Sequence, residues 1–271
     1  MPIRQQVEHQ GVEGARVGRF NRAINTTFVV YRIGDTLIDA GPSNQWKAVR
    51  TFVDLRPPKR LLLTHHHEDH AGNADRIARR FDLTPFAPEL GRAKLASGYR
   101  TPLTQRLVWG SPRPVETQPL PDHMELGSDC TLRAIPTPGH AKDHTCLLWQ
   151  QRGFLFSGDL YLARNLTHMR SDENLQLLMQ SIVQVLRLDF DTIFCSHRGV
   201  VEQGHAALSE KLDNLKQLCE QARELHEQGL SESEIVVRLR GPEDGLSKMS
   251  RYNISKRNLV GQAAQVDISR L

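Results

Sequence analysis

Behind the apolar segment Leu61-Leu62-Leu63-Thr64 lies the run His65-His66-His67-Glu68-Asp69-His70. Four imidazoles and two carboxylates in one hexapeptide have no structural use in a packed globular chain. Imidazole favours zinc and other first-row metals, and carboxylate suits harder ions. The run therefore predicts a metal site, and it constrains the fold. A short buried strand must end in a donor-bearing loop, and strands elsewhere must deliver the remaining donors. His65 and His67 are two apart and point the same way in an extended loop, whereas His66 and Glu68 alternate with them and should face away. Asp69 and His70 lie at the turn into a helix and aim differently, so one stretch can feed two adjacent metals.

The chain of 271 residues is long enough for one large domain, or a domain with an appendage. Its 39% apolar and 24% charged residues are ordinary for a globular protein. A net charge of +4 suits an anionic small-molecule substrate but does not by itself imply nucleic-acid binding. Cys130, Cys146, Cys195 and Cys219 include no Cys-x-x-Cys pair and read as reduced core thiols. The N-terminus lacks an apolar signal core, and no run reaches membrane-spanning length. A cytoplasmic location without membrane attachment is expected, and oligomeric state is not readable.

Residues 27–33 and 36–38 predict a hairpin around Gly34-Asp35. Residues 46–55 predict a helix that ends before Pro57-Pro58, and 73–81 a second. Short strands are predicted at 61–63, 131–135, 145–149, 154–156 and 192–194. The 85–121 connection, with Trp109 near its centre, is either a functional loop or a surface excursion. From Gly204 the pattern is helical, with a capping box at Ser231 to Glu234 and a further helix over 250–265. The expected organisation is a catalytic domain over 1–203 and a C-terminal helical extension over 204–271.

Thr64, His65, His67, Asp69 and His70, read as Thr-His-x-His-x-Asp-His, resemble the signature of the metallo-β-lactamase fold superfamily. Four further segments match its other motifs in order: Asp39-Ala40-Gly41, Pro138-Gly139-His140, Ser157-Gly158-Asp159 and Cys195-Ser196-His197-Arg198-Gly199. Cys195-Ser196 stand where Pro-Gly is usual. The resemblance implies an α+β fold, a four-layer αββα sandwich, and covers most of the chain. Asp159 at the second metal position points to the glyoxalase-II-like branch.

Carried onto this chain, the resemblance implies His65, His67 and His140 on one metal, Asp69, His70 and His197 on the other, and Asp159 bridging. Asp39 is implied behind the ligands, orienting a histidine, and His144 as a loop brace or substrate contact. Tyr161 is either an oxyanion donor or a packed core tyrosine. Arg198 either meets an anionic group or forms an outward salt bridge. Two divalent ions, zinc by default with iron or manganese accepted by the same donors, outweigh Asp69, Asp159 and a bridging hydroxide in charge. Bound water then ionises near pH 7, at about its metal-lowered pKa. Asp69 is implied to hold or shuttle the proton.

The resulting expectation is a binuclear hydrolase of a small ester, thioester or lactone. The alternatives are a phosphodiesterase or endoribonuclease of the β-lactamase-like branch, with nucleic acid as partner, and a mononuclear iron persulfide dioxygenase. The complete second ligand set opposes the latter. A closed structural zinc site is opposed by the carboxylate-rich donors.

Overall fold

A computed structural model describes residues 3–18 and 26–271. The segment Phe28–Ile33 decides the layering, because all six residues are buried. Phe28 and Val30 face one apolar cluster, and Val29, Tyr31 and Ile33 face another. A strand with a period of two that is buried on both faces must lie in an inner layer.

That strand is the third, β3, of a seven-stranded sheet. The others are β1 Gln5–His9, β2 Val12–Val17, β4 Thr36–Ile38, β5 Arg60–Leu62, β6 Phe86–Ala87 and β7 Gln118–Pro119. They lie side by side in chain order, antiparallel from β1 to β4 and parallel from β4 to β7. A separate ribbon pairs β12 Met169–Arg170 with β15 Ile254–Ser255. The second sheet comprises β8 His123–Gly127, β9 Cys130–Pro136, β10 Thr145–Trp149, β11 Phe154–Gly158, β13 Thr192–Cys195 and β14 Gly199–Val201. Its order is β14-β13-β11-β10-β9-β8.

Helices α1 Trp46–Leu55, α2 Ala74–Phe81 and α3 Glu89–Ser97 pack on the outer face of the first sheet through Val49, Phe52, Ile77 and Leu95, and α4 Leu103–Trp109 follows them in the chain. Between the sheets lie Tyr31, Leu62, Leu147, Phe156 and Phe194. The outer face of the second sheet presents Cys146, Leu155, Ile193 and Cys195 to α5 Leu175–Leu186 and α6 Gly204–Glu227. The protein is thus an αββα sandwich, as expected. Each buried Leu or Phe contributes about 1.5–3 kcal/mol on transfer from water.

The 204–271 segment is helical: α6 is followed by α7 Glu232–Arg240, α8 Gly245–Met249 and α9 Lys256–Ala263. Leu208, Leu212, Leu215 and Leu218 of α6 share one core with β10, β11 and β13, so residue 203 divides strand-rich from helical chain within a continuous core. The capping box forms, with Ser231 Oγ accepting from the Glu234 amide and the Glu234 carboxylate accepting from the Ser231 amide. The single helix expected over 250–265 is broken. Arg251 and Tyr252 adopt positive φ, and Ser255 accepts from the Asn258 amide at 3.1 Å, which starts α9 six residues late.

The N-terminal strands are tied to the far end of the second sheet. The Val29 amide donates to the Ser196 carbonyl at 2.7 Å, and Tyr31 Oη donates to that of Cys195 at 2.9 Å. Arg16 donates to the carbonyls of His197 and Arg198 at 2.9 and 3.0 Å.

Lys211 of α6 is 1% exposed and donates to the Leu160 carbonyl at 2.6 Å. Burial pushes its pKa down to about 8, against a smaller upward pull from Glu173 and Cys195. The unfolded chain holds this proton up to about pH 10.4. Its burial cost is therefore fully present below pH 8 and is relieved as pH rises toward 10.4, where the unfolded state binds more protons. Against a Lys211→Met variant, wild-type stability should gain on the order of 3 kcal/mol between pH 7 and 10.4. Urea denaturation of both proteins checks this, since the difference cancels the other titrating groups.

Candidate metal centre

Every residue expected at the site follows a strand closely. Asp39 follows β4, the histidine run follows β5, His140 follows β9, Asp159 follows β11 and His197 follows β13. Asp159 lies at the centre. Its Oδ2 is 3.0 Å from His140 Nε2, and its Oδ1 is 3.2 Å from His70 Nε2 and 3.4 Å from His197 Nε2. His197 Nε2 is 3.3 Å from Asp69 Oδ2, and His67 Nδ1 is 2.9 Å from His140 Nε2. Donor atoms of His65, His67 and His140 lie within 4.8 Å of one another, as do those of His65, His70 and Asp159, and of Asp69, His70 and His197.

The opposite sides of these rings are anchored, which turns the remaining nitrogens inward. His70 Nδ1 donates to Asp39 Oδ2 at 2.7 Å, His140 Nδ1 to Glu173 Oε1 at 2.8 Å, and His197 Nδ1 to the Thr27 carbonyl at 3.0 Å. His65 Nδ1 lies 3.1 Å from Thr64 Oγ1, whose hydroxyl donates to Asp39. Asp39 also accepts from the Thr64 amide at 2.8 Å, so it locks both ends of the loop. It does so from a left-handed backbone, φ 60°, a strained conformation retained where surrounding contacts over-determine it. Carboxylate and carbonyl partners behind ligating histidines are the usual means of fixing their orientation.

The inward atoms are poorly satisfied. His65 Nε2 is buried without a hydrogen-bond partner, and His70 Nε2 and Asp159 Oδ1 face each other at 3.2 Å with no well-aligned hydrogen bond. Orphaned buried polar atoms cost about 1–3 kcal/mol each. Three such poorly satisfied atoms among seven N and O donors fit divalent cations well. The electrostatics divide the donors: burial keeps His65 and His67 low, whereas the burial of His70, His140 and His197 is outweighed by the neighbouring carboxylates, which raise them. Burial holds His65 well below the ordinary imidazole value, with His70 and His67 adding to it, and so keeps it in the neutral form that ligates. Burial alone would raise the Asp159 carboxyl, but His70, His197 and His140 outweigh it and hold the group well below the carboxylate range. Against the downward push of burial, Glu173 and Asp159 lift His140 to about 9.

His144 takes the bracing role. Its Nε2 accepts from the Asp159 amide at 2.9 Å and its Nδ1 faces Thr137 Oγ1 at 2.8 Å, so both ring nitrogens are engaged. Burial, with His140 next, pushes it down to about 3. His66 faces away, as expected, onto Asp143, which accepts from its amide at 2.9 Å and its Nδ1 at 2.7 Å. Lys94 Nζ reaches His66 Nε2 at 2.6 Å, and Gly91 leaves the room that Asp143 needs.

One expectation is corrected, and one left open is decided. Glu68 does not face away: it is 2% exposed, lines the cleft and lies 3.7 Å from Arg170 Nη1. The period of two fails there because the chain has already turned, with the His70 and Ala71 amides both donating to the His67 carbonyl. Tyr161 is not in the cleft wall. The turn closed by the Leu160 amide on the Ser157 carbonyl sends residue 161 into the core with Leu178 and Leu208.

The cleft over the cluster measures about 420 Å³. Arg198 stands in its wall with Nε on the Leu162 carbonyl at 2.7 Å. Arg170, Glu173 and Trp109 also line it. The first two were missed from sequence. They lie in a polar stretch with no motif: Arg170 is placed by the pairing of β12 with β15, and Glu173 stands just before α5.

A family model for the metallo-beta-lactamase superfamily matches residues 19–197, and the chain belongs to that superfamily. Its solved relatives include a beta-lactamase domain protein from Burkholderia ambifaria, at TM-score 0.75 and 20% identity over 96% of this chain and 88% of that one. A family protein from Thermus thermophilus aligns at TM-score 0.68 and 17% identity, over 93% and 90%. Among curated proteins, the atrochrysone carboxyl ACP thioesterase of Aspergillus fumigatus is 30% identical over 65% of this chain and 51% of its own. The hydroxyacylglutathione hydrolase of Rhodopseudomonas palustris is 25% identical over 62% and 60%. The chain spans about half the length of the curated relatives it matches first.

Proposed function

We propose that the protein is a binuclear metal-dependent hydrolase of a small ester or thioester. The central placement of Asp159, in reach of His140 on one side and of His70 and His197 on the other, carries this reading. His65, His67 and His140 would hold one ion, Asp69, His70 and His197 the other, and Asp159 both. Zinc suits the donor set best, with iron or manganese accepted by the same atoms. The ions would supply an ionised water at neutral pH and an electrophilic seat for the scissile carbonyl.

The chain's own groups do the rest. Asp69 Oδ2, held against His197 Nε2, is placed to take up and pass on a proton. Asp39, Glu173 and His144 hold the donors so that little reorganisation is needed. Arg198, at the cleft wall, is offered to an anionic part of the substrate. The similarity to a thioesterase and a hydroxyacylglutathione hydrolase supports acyl transfer to water. Among the described residues no helix is long and apolar enough to cross a membrane. The four free, buried cysteines support a reducing, cytoplasmic setting.

Elemental analysis of the purified protein beside thioester, lactone and phosphodiester substrates tests the reading. Two metals per chain and chelator-sensitive thioester hydrolysis are expected. Phosphodiester cleavage alone would move the assignment to a nuclease, and a single iron without hydrolysis to an oxygenase.

A further inference from the structure

One half of the cleft is not explained by the ligand cluster. Besides the histidines and carboxylates, the cleft is lined by Leu162, Leu166, Met169, Leu246, Ile254 and Trp109, with Asn165, Thr167 and Arg170 interspersed. Two of these come from the C-terminal segment: Leu246 from α8 and Ile254 from β15.

They are held there by specific contacts. In the ribbon, Met169 pairs with Ser255 and Arg170 with Ile254. The Ser171 amide donates to the Asn253 carbonyl at 2.8 Å, and Asn258 Nδ2 donates to that of Met169 at 3.1 Å. His168 meets Asp244, the residue that caps α8, at 3.0 Å. The same ribbon therefore sets the position of Arg170 at one edge of the wall and of Ile254 within it.

Aliphatic side chains offer neither donors nor acceptors. A sugar or phosphate buried against them would lose its hydration without replacement, whereas a hydrocarbon gains by leaving water. The wall lines the same cleft as Asp159 and His140, so a group lying along it belongs to the same small molecule as the bond those residues face.

We propose that this wall is the acyl subsite: the substrate is an ester or thioester with an aliphatic acyl chain longer than acetyl, and Leu246 and Ile254 set the length accepted. The assignment rests on the hydrolase reading above. S-acyl-N-acetylcysteamine thioesters from acetyl to octanoyl, given to the full-length metal-loaded protein, test it. Each added methylene should raise kcat/KM about fourfold until the wall is filled. Leu246→Trp and Ile254→Trp should each lower the octanoyl-to-acetyl ratio at least tenfold, while Val237→Trp, on an exposed position of α7, leaves the ratio as it was.

Hydrolysis with a flat length profile, or a ratio that the two cleft variants do not move, would overturn the subsite and leave the hydrolase reading standing. If neither these thioesters nor the matching oxygen esters are cleaved by protein holding two metals, the hydrolase reading fails. Calorimetric titration with octanoate and acetate then decides the subsite alone. Octanoate binding that Leu246→Trp weakens at least tenfold supports it, and equal or absent binding of the two acids overturns it.

Discussion

Replacing Asp159 by alanine should reduce bound metal from two ions per chain to one or fewer and cut turnover by more than the roughly ten- to hundredfold typical of groups standing behind metal ligands. The carboxylate lies within 3.0–3.4 Å of His140, His70 and His197, and it carries much of the negative charge that balances them. Without it the surrounding imidazoles and any divalent ions face one another with only Asp69 between them. Asp159→Asn keeps the volume and the amide that donates to His144, so it separates loss of charge from loss of packing. Elemental analysis and kcat on the same preparations read both effects. Unchanged metal content and turnover in the alanine variant would remove the binuclear assignment.

The largest stability effect should come from a residue that ligates nothing. Gly139 has φ 140°, and a Cβ built on it would lie 2.4 Å from both the amide nitrogen and the Cα of Leu178. Those are backbone atoms of α5, which cannot swing aside, and the Asn174 amide donates to the Gly139 carbonyl at 2.8 Å from the start of the same helix. Gly139→Ala must push α5 off the second sheet or distort the loop that carries His140. A loss on the order of 4 kcal/mol is expected, in the range reserved for severe core or backbone damage. For a chain of this size that corresponds to a fall in Tm of about 8–16 °C. Gly229→Ala is the control, since it shares a positive φ of 84° but would meet nothing within 4 Å. It should cost only the local backbone term, about 1–2 kcal/mol. Equal losses in the two variants, measured by urea denaturation, would discount the α5 clash.

The parts of this molecule that are readable in the sequence are those fixed by local chemistry. Apolar runs bounded by turn residues correspond to β3, β4, β10, β11 and β13. The donors of the histidine run lie within six consecutive residues, so their convergence needs no knowledge of tertiary structure. The parts that escape depend on distant pairing. Strands β6, β7, β12 and β15 are two residues each and exist only because another segment docks on them. The hairpin of β1 and β2 escapes because Gln5–His9 is largely exposed and has no apolar face to betray it. Glu173 orients His140 from a position whose neighbours carry no pattern, and it arrives there through the fold of the segment entering α5. Glu68 departs from expectation because it follows an extended stretch whose alternation has been ended by a turn, and a turn likewise sends Tyr161 to the core, one of its two expected places.

The ties between the N-terminal strands and the His197 loop have a consequence for biosynthesis. Arg16 is separated from its carbonyl partner on His197 by 181 residues. A ribosome adding about 5–20 residues per second needs about 10–40 s to supply that partner. Throughout that interval Arg16 lacks its carbonyl partner on His197, and the nascent chain lacks at least one of its seven proposed metal donors. Capture of the proposed ions would therefore be a late event in the life of the polypeptide, completed only once residue 197 has left the ribosome and the first strands are stitched to it.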